Sequence, residues 1–162
     1  MNPINFILPL LIGCGTEYSV DIAGEINGQP FSPTTSVWGG PFIVFAEQDL
    51  DCMDLFWIQK GLTTGEEAPV DYDVRLLQVT YNASDVVAGN YDLTGQAPVK
   101  AEVIEISGDM MTITKASEGS LNVGAAADTG TASGDFSFFF NDSGGIGGNF
   151  VIPWCANLKS RY

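Results

Sequence analysis

A single antiparallel β-sandwich or flattened barrel, all-β in class, is predicted for this 162-residue chain by three observations. Apolar residues recur with period two in several segments, the period of a strand with one wet face. Turn-forming pairs, Asn27-Gly28 and Gly108-Asp109 among them, separate those segments at hairpin-like intervals. No stretch sustains a helical period over three turns. The length suits about one domain, and neither a linker nor an internal repeat divides it.

Taken in order, Tyr18, Val20, Ile22, Gly24 and Ile26 alternate with Ser19, Asp21, Ala23 and Glu25 as a first strand. Asn27-Gly28 supplies the two left-handed positions of a tight turn. Phe42-Ile43-Val44-Phe45 and Leu55-Phe56-Trp57-Ile58 are continuous apolar runs, expected as fully buried strands. The alternative for the second is one helical turn capped by Asp51 and stopped by Gly61, but its aromatic content favours a strand. Asp73 to Tyr81 is apolar on both faces, as a central strand would be. Gly89 to Leu93 is a short strand. Val99 to Ser107 changes phase between Val103 and Ile104, which predicts a bulge. Met110 to Lys115 returns across Gly108-Asp109.

The final third is the clearest. Ala132, Gly134, Phe136, Phe138 and Phe140 share one face, with Ser133, Asp135 and Ser137 on the other. Asn141 to Gly145 is a turn cluster, and Phe150, Ile152 and Trp154 form the returning strand. Leu121 to Thr131, rich in Ala, Gly and Thr, reads as a weak strand followed by a loop.

Composition limits the chemistry. At 45% hydrophobic and 16% charged, the chain has material for one core. Acidic residues outnumber basic ones 20 to 6, for a net charge of −14, which excludes a nucleic-acid partner that must be met with Lys and Arg. With no His, Ser-His-Asp and Cys-His catalysis and His-ligated metals are excluded.

Ile4 to Ile12 is an apolar run too short to span a bilayer, ending in Leu11-Ile12-Gly13-Cys14. This resembles the lipobox of bacterial lipoproteins. The resemblance implies that residues 1–13 are a signal peptide, that cleavage falls before Cys14, and that Cys14 carries the lipid. No Lys or Arg precedes the run, a departure from the pattern. The alternative is an apolar first strand. A lipid anchor would hold residues 14–162, one β-domain, at the membrane, since each buried acyl CH₂ contributes about 0.8 kcal/mol. Gly15 after the lipid site points to the outer membrane, with the domain facing the periplasm or the exterior. With Cys14 lipidated, Cys52 and Cys155 remain as an even pair in an oxidising compartment and are expected to form a disulfide. Two separate buried thiols are the alternative.

A second resemblance spans most of the chain. Gly24-Glu25-Ile26-Asn27-Gly28-Gln29-Pro30-Phe31, Ala88-Gly89-Asn90-Tyr91-Asp92-Leu93, and the close from Ala132-Ser133-Gly134-Asp135-Phe136 through Gly148 and Cys155 to Leu158 are similar to small bacterial lipoproteins with a β-rich domain of unknown function. That resemblance implies architecture and brings no catalytic residues.

Among candidate sites, Asp49, Asp51 and Asp54 are the first calcium candidates, with Asp71 and Asp73 second. The spacing lacks the Gly and terminal Glu of an EF-hand loop, and a solvated acidic loop is the plainer reading. Asp128, Asp135 and Asn141-Asp142 share that ambiguity. No other cofactor is expected. Trp38, Trp57, Trp154 and the tyrosines are candidates for a glycan or protein platform, against the plainer reading as core. Phe139 stands on an otherwise polar face, either covered by another element or part of a contact surface, so Trp57 and Phe139 are the named binding candidates. Asn82-Ala83-Ser84 and Asn141-Asp142-Ser143 match glycosylation sequons, which a bacterial lipoprotein would leave unmodified. The expected function is that of a non-catalytic envelope module with a protein or glycan partner. The alternative is a carboxylate-based hydrolase acting on an extracellular substrate.

Overall fold

Residues 17–65, 73–82, 84–94, 98–127 and 130–159 are described by the computed structural model. The lipobox with Cys14, Asp71, Asp128 and Ala83 of the first sequon lie outside them. The described elements run β1 (Ser19–Ile26), β2 (Gln29–Pro30), β3 (Thr35–Gly39), β4 (Phe42–Ala46), α1 (Cys52–Thr64), β5 (Val74–Tyr81) and β6 (Gly89–Asp92). They continue with β7 (Val99–Ser107), β8 (Met110–Lys115), β9 (Glu118–Ala126), β10 (Thr131–Phe139) and β11 (Gly144–Pro153). A 3-10 turn, Asn141–Ser143, precedes β11, and another, Ala156–Lys159, follows it.

Two antiparallel sheets face one another as a β-sandwich that does not close into a barrel. Sheet A has the order β2-β1-β11-β10-β9-β6, and sheet B the order β3-β4-β5-β7-β8. The alternation read along β10 and β11 holds, while on the apolar face read for β1 only Ile22 and Ile26 are buried and Tyr18 and Val20 are exposed. Ile22, Ile26, Phe136, Phe138, Phe150 and Ile152 turn inward to meet Phe45, Leu77, Val79 and Val103 of sheet B. Aromatic rings join the sheets, with Phe45 centred 5.4 Å from Phe136 and 5.5 Å from Phe150. Each such side chain contributes roughly 1.5–3 kcal/mol by leaving water. The Asn27-Gly28 turn takes φ values of 55° and 73°, the two left-handed positions expected of it.

Arg75 fixes one end of the sandwich. It is buried, and its guanidinium donates to the carbonyls of Ile26, Gln29 and Pro30 at 3.0–3.3 Å, holding the β1–β2 hairpin to sheet B. Glu47 Oε2 lies 3.2 Å from Nη1, and Glu105 Oε1 lies 3.0 Å from Nε as an ion pair without hydrogen-bond alignment.

A second core lies on the other face of sheet B, and here two expectations are corrected. Leu55 to Ile58 is helix, not strand, and α1 runs 13 residues. Asp51 does cap it: its carboxylate accepts from the backbone N–H of Met53 (2.7 Å) and Asp54 (2.8 Å), while Asp54 accepts from Asp51 N–H (3.0 Å). Gly61 does not stop it. The helix continues to Gly65, whose left-handed φ of 72° lets its N–H reach Gly61 O at 2.9 Å. Leu55, Ile58, Gln59 and Leu62 face the sheet at the i, i+3, i+4, i+7 spacing, packing with Val44, Leu76 and Ile104. The helical period was present but masked, because Phe56 and the 38%-exposed Trp57 lengthen the apolar run away from the sheet.

The second correction concerns the bulge. Val103 and Ile104 change phase without one: β7 pairs in unbroken register with β5 and β8. Val103 belongs to the inter-sheet core and Ile104 to the core under α1, so both faces are apolar there. The register shift lies between Ser133 and Gly134, where β10 meets β9.

Cys52, the first helical residue, is disulfide-bonded to Cys155, with Cα atoms 5.7 Å apart and a sequence separation of 103. The bond ties the start of α1 to the segment leaving β11. That segment also closes the outer edge of β3: Cys155 N–H donates to Trp38 O at 2.7 Å, and Trp38 pairs with Trp154. Gly39 permits the approach, since a Cβ there would collide with Cys155 O and lie 2.9 Å from Leu158 Cβ. Among the described residues no helix is long and apolar enough to cross a membrane.

Candidate functional site

α1 covers only part of sheet B, and the uncovered part is a groove. Side chains on the outer face fall in rows across the strands. Ala46, Leu76, Ile104 and Ile113 form one row, Val44, Gln78, Glu102 and Lys115 the next, and Phe42, Thr80 and Lys100 the third. The first row is apolar because the helix lies over most of it. The other two turn polar beyond the helix, on β5, β7 and β8. Between this floor and the wall of Gln59, Leu62 and Thr63 is a cavity of about 430 Å³, with Pro41, Tyr81 and Asn82 at one end. That volume lies within the range of about 300–1,000 Å³ usual for small-molecule sites.

The groove holds three of the four buried polar or charged side chains among the described residues, all but Arg75. Gln59, Gln78 and Glu102 are exposed by only 3%, 5% and 6%. Gln59 Nε2 donates to Gln78 Oε1, and Gln78 Nε2 donates to Thr80 Oγ1 at 3.0 Å. Glu102 Oε2 pairs with Lys100 Nζ at 3.0 Å, and the Lys100 side chain remains half exposed. Lys115 stands opposite Glu102 in register, is exposed, and forms no ion pair among the described residues. A chain of net charge −14 with six basic residues thus sets two lysines against one carboxylate at this place, a local excess of one positive charge. At the groove end, Tyr81 turns its side chain away into the inter-sheet core, where burial, with the nearby Tyr91, pushes its phenol well above the ordinary tyrosine value.

The residues singled out from sequence do not assemble into this site. Asp51 and Asp54 are the helix cap, Asp49 lies in the preceding loop, and no three His, Cys, Asp or Glu side chains converge in a metal-holding group among the described residues. Asp73 directly precedes β5 and is exposed. Asp135 accepts from Asn122 Nδ2 at 2.9 Å within a row of polar side chains, Asp21, Asn149, Asp135, Asn122 and Asn90, that crosses the outer face of sheet A. Asn141 and Asp142 begin the 3-10 turn. The tryptophans form no common platform: Trp38 is buried and donates from Nε1 to Gly130 O at 3.2 Å, Trp154 is partly buried beside it, and Trp57 lies on α1 with Lys60 Nζ 5.0 Å from its ring centre. Phe139 is 50% exposed on the outer face of sheet A.

Gln59, Gln78, Lys100, Glu102 and Lys115 went unread in the sequence, yet they left a signal. In both β5 and β7 the outward-facing positions switch between polar (Gln78, Thr80; Lys100, Glu102) and apolar (Val74, Leu76; Ile104, Ile106). The phase change at Val103 and Ile104 is that boundary, where the helix cover gives way to the groove. No family model, curated protein or solved structure matches this chain.

Proposed function

We propose that this chain is a lipid-anchored bacterial envelope protein, attached through Cys14, whose acidic β-domain works by binding and not by catalysis, with the groove beside α1 as its contact surface. The observation that carries the reading is the groove itself: about 430 Å³ of space over a floor of buried, hydrogen-bonding side chains. Buried polar groups set into a partly apolar cavity are what fix and orient a ligand. A hydrolase of the two-carboxylate kind needs a pair of acids flanking the scissile bond, and Glu102 is the one carboxylate among the described residues lining the groove. The anchor rests on the apolar run ending in Leu11-Ile12-Gly13-Cys14, and the disulfide is in keeping with an exported domain. The outer membrane is the proposed address. The negative charge would keep the domain off anionic headgroups and leave the groove accessible.

Two measurements test this. Mass spectrometry of the protein from its native host should find a mature N-terminus at Cys14 carrying acyl chains; an intact Met1 or an unmodified Cys14 overturns the anchor. Native mass spectrometry of the purified chain mixed with envelope extract should find an intact small-ligand adduct that a Lys100→Glu, Lys115→Glu double variant loses. Turnover of extract components into products, or the absence of any adduct, overturns the binding role.

A further inference from the structure

We infer that the groove takes the free α-carboxylate end of a short peptide. This rests on the groove being the binding surface and goes on to name the ligand chemistry. The charge comes first. Lys100 and Lys115 against Glu102 leave one excess positive charge, enough for a monoanion, while the −14 of the whole chain opposes ligands of higher negative charge. Lys115 has no ion pair among the described residues and stands at the rim, so its ammonium is available to a carboxylate.

The amides come second. A primary amide offers a carbonyl acceptor and N–H donors, so it matches a peptide group donor for acceptor. Gln59 and Gln78 already pair with each other in this way on the floor, with the hydroxyls of Thr63 and Thr80 beside them. A fatty acid would set methylenes against the amide and hydroxyl groups that these bonds leave unmatched, at a desolvation cost a peptide avoids. The apolar side of the groove, Leu62, Ile104 and Ile113, is a place for one aliphatic side chain. A sugar would want an open aromatic face for stacking; Phe42 is buried, and the Tyr81 ring turns away from the groove into the inter-sheet core against Tyr91.

The test is a titration of the full-length chain in detergent, followed by NMR shifts of groove residues, with three probes: N-acetyl-alanyl-leucine, the same peptide with a C-terminal amide, and a neutral N-acetylhexosamine disaccharide. The acid should bind and shift the Gln59 and Gln78 side-chain amides, with the amide form at least about tenfold weaker. Lys115→Met, at an exposed and unpaired position, should keep the melting temperature, weaken the acid about tenfold and leave the amide form unchanged. Equal affinity for acid and amide, or no effect of Lys115→Met, overturns the carboxylate assignment. Binding of the disaccharide in place of the peptides overturns the ligand class and leaves the groove as a binding surface. If no probe moves a groove resonance the peptide assignment falls, whereas the binding role falls only if the extract experiment also yields no adduct.

Discussion

On the outer face of sheet A, Asp21, Asn122, Asp135 and Asn149 stand in water; on the outer face of sheet B, Val44, Leu76 and Ile104 lie under α1 with almost no exposure. Both sheets press their other face into one shared core. Sheet A therefore shows its period of two along β9, β10 and β11, while the strands of sheet B alternate only where the helix ends. The groove sits on the side where the cover is partial. A face wholly in water offers no enclosure, and a face wholly covered offers no access. Half-coverage leaves Gln78 and Glu102 buried yet bordering a cavity.

The comparison can be broken hardest at the fastening of the cover. The Cys52–Cys155 bond closes a loop of about one hundred residues, for which chain entropy alone gives ~4.7 kcal/mol, so replacing either cysteine by Ser should cost about 2–5 kcal/mol. Denaturant unfolding should read this as a lower midpoint, and amide exchange should speed up in α1 and beneath it before it does in β1, β10 and β11. Uniform acceleration across both sheets would mean that α1 is not a separable layer.

Leu55→Ala comes next. The side chain is fully buried between α1 and sheet B, and its truncation should cost roughly 2–5 kcal/mol. A loss under 1 kcal/mol in urea melts would show that the second core contributes little. Asp51→Ala removes the acceptor for two helix N–H groups and should cost about 1 kcal/mol, with Asp51→Asn recovering most of it.

Alkaline pH probes the shared core. Tyr81 has its phenol raised by burial and by Tyr91, so the folded state resists an ionisation that the unfolded chain undergoes near pH 10. Its contribution is complete below that pH and is lost as pH rises toward the folded value. Melting temperature should fall above about pH 10, and Tyr81→Phe should flatten that part of the profile. The smallest effect belongs to sheet A's wet face. Phe139→Ser, at a half-exposed position, should change stability by no more than about 0.5 kcal/mol. A larger loss would indicate that Phe139 is covered by a partner in solution.

The same contrast explains what could be read in advance. β1, β10, β11 and the Asn27-Gly28 turn were legible because water selects polar residues at every second position, and the left-handed φ of 55° and 73° suits Asn and Gly. β4 was legible as a buried strand, since all five of its residues are covered. α1 was not, because Phe56 and Trp57 fill out a run that local propensity assigns to strand, whereas Leu55, Ile58 and Leu62 meet the sheet at helical spacing. Asp51 carried the capping signal, and Gly61 inside the helix, at about 1 kcal/mol against Ala, contradicted it.

The sequence by itself determined the β-class and the strands and turn that frame the sandwich core, and it made Cys52 with Cys155 the expected pair once Cys14 is set aside for lipid, because period and turn chemistry are local properties of a chain. The tertiary structure alone decided that residues Gln59, Gln78, Glu102 and Lys115, up to 56 positions apart, share one cavity. That proximity is set by where α1 lands on sheet B and where it stops. Both depend on the packing of Leu55 and Ile58 against Leu76 and Ile104 across long sequence separations, which no local pattern encodes.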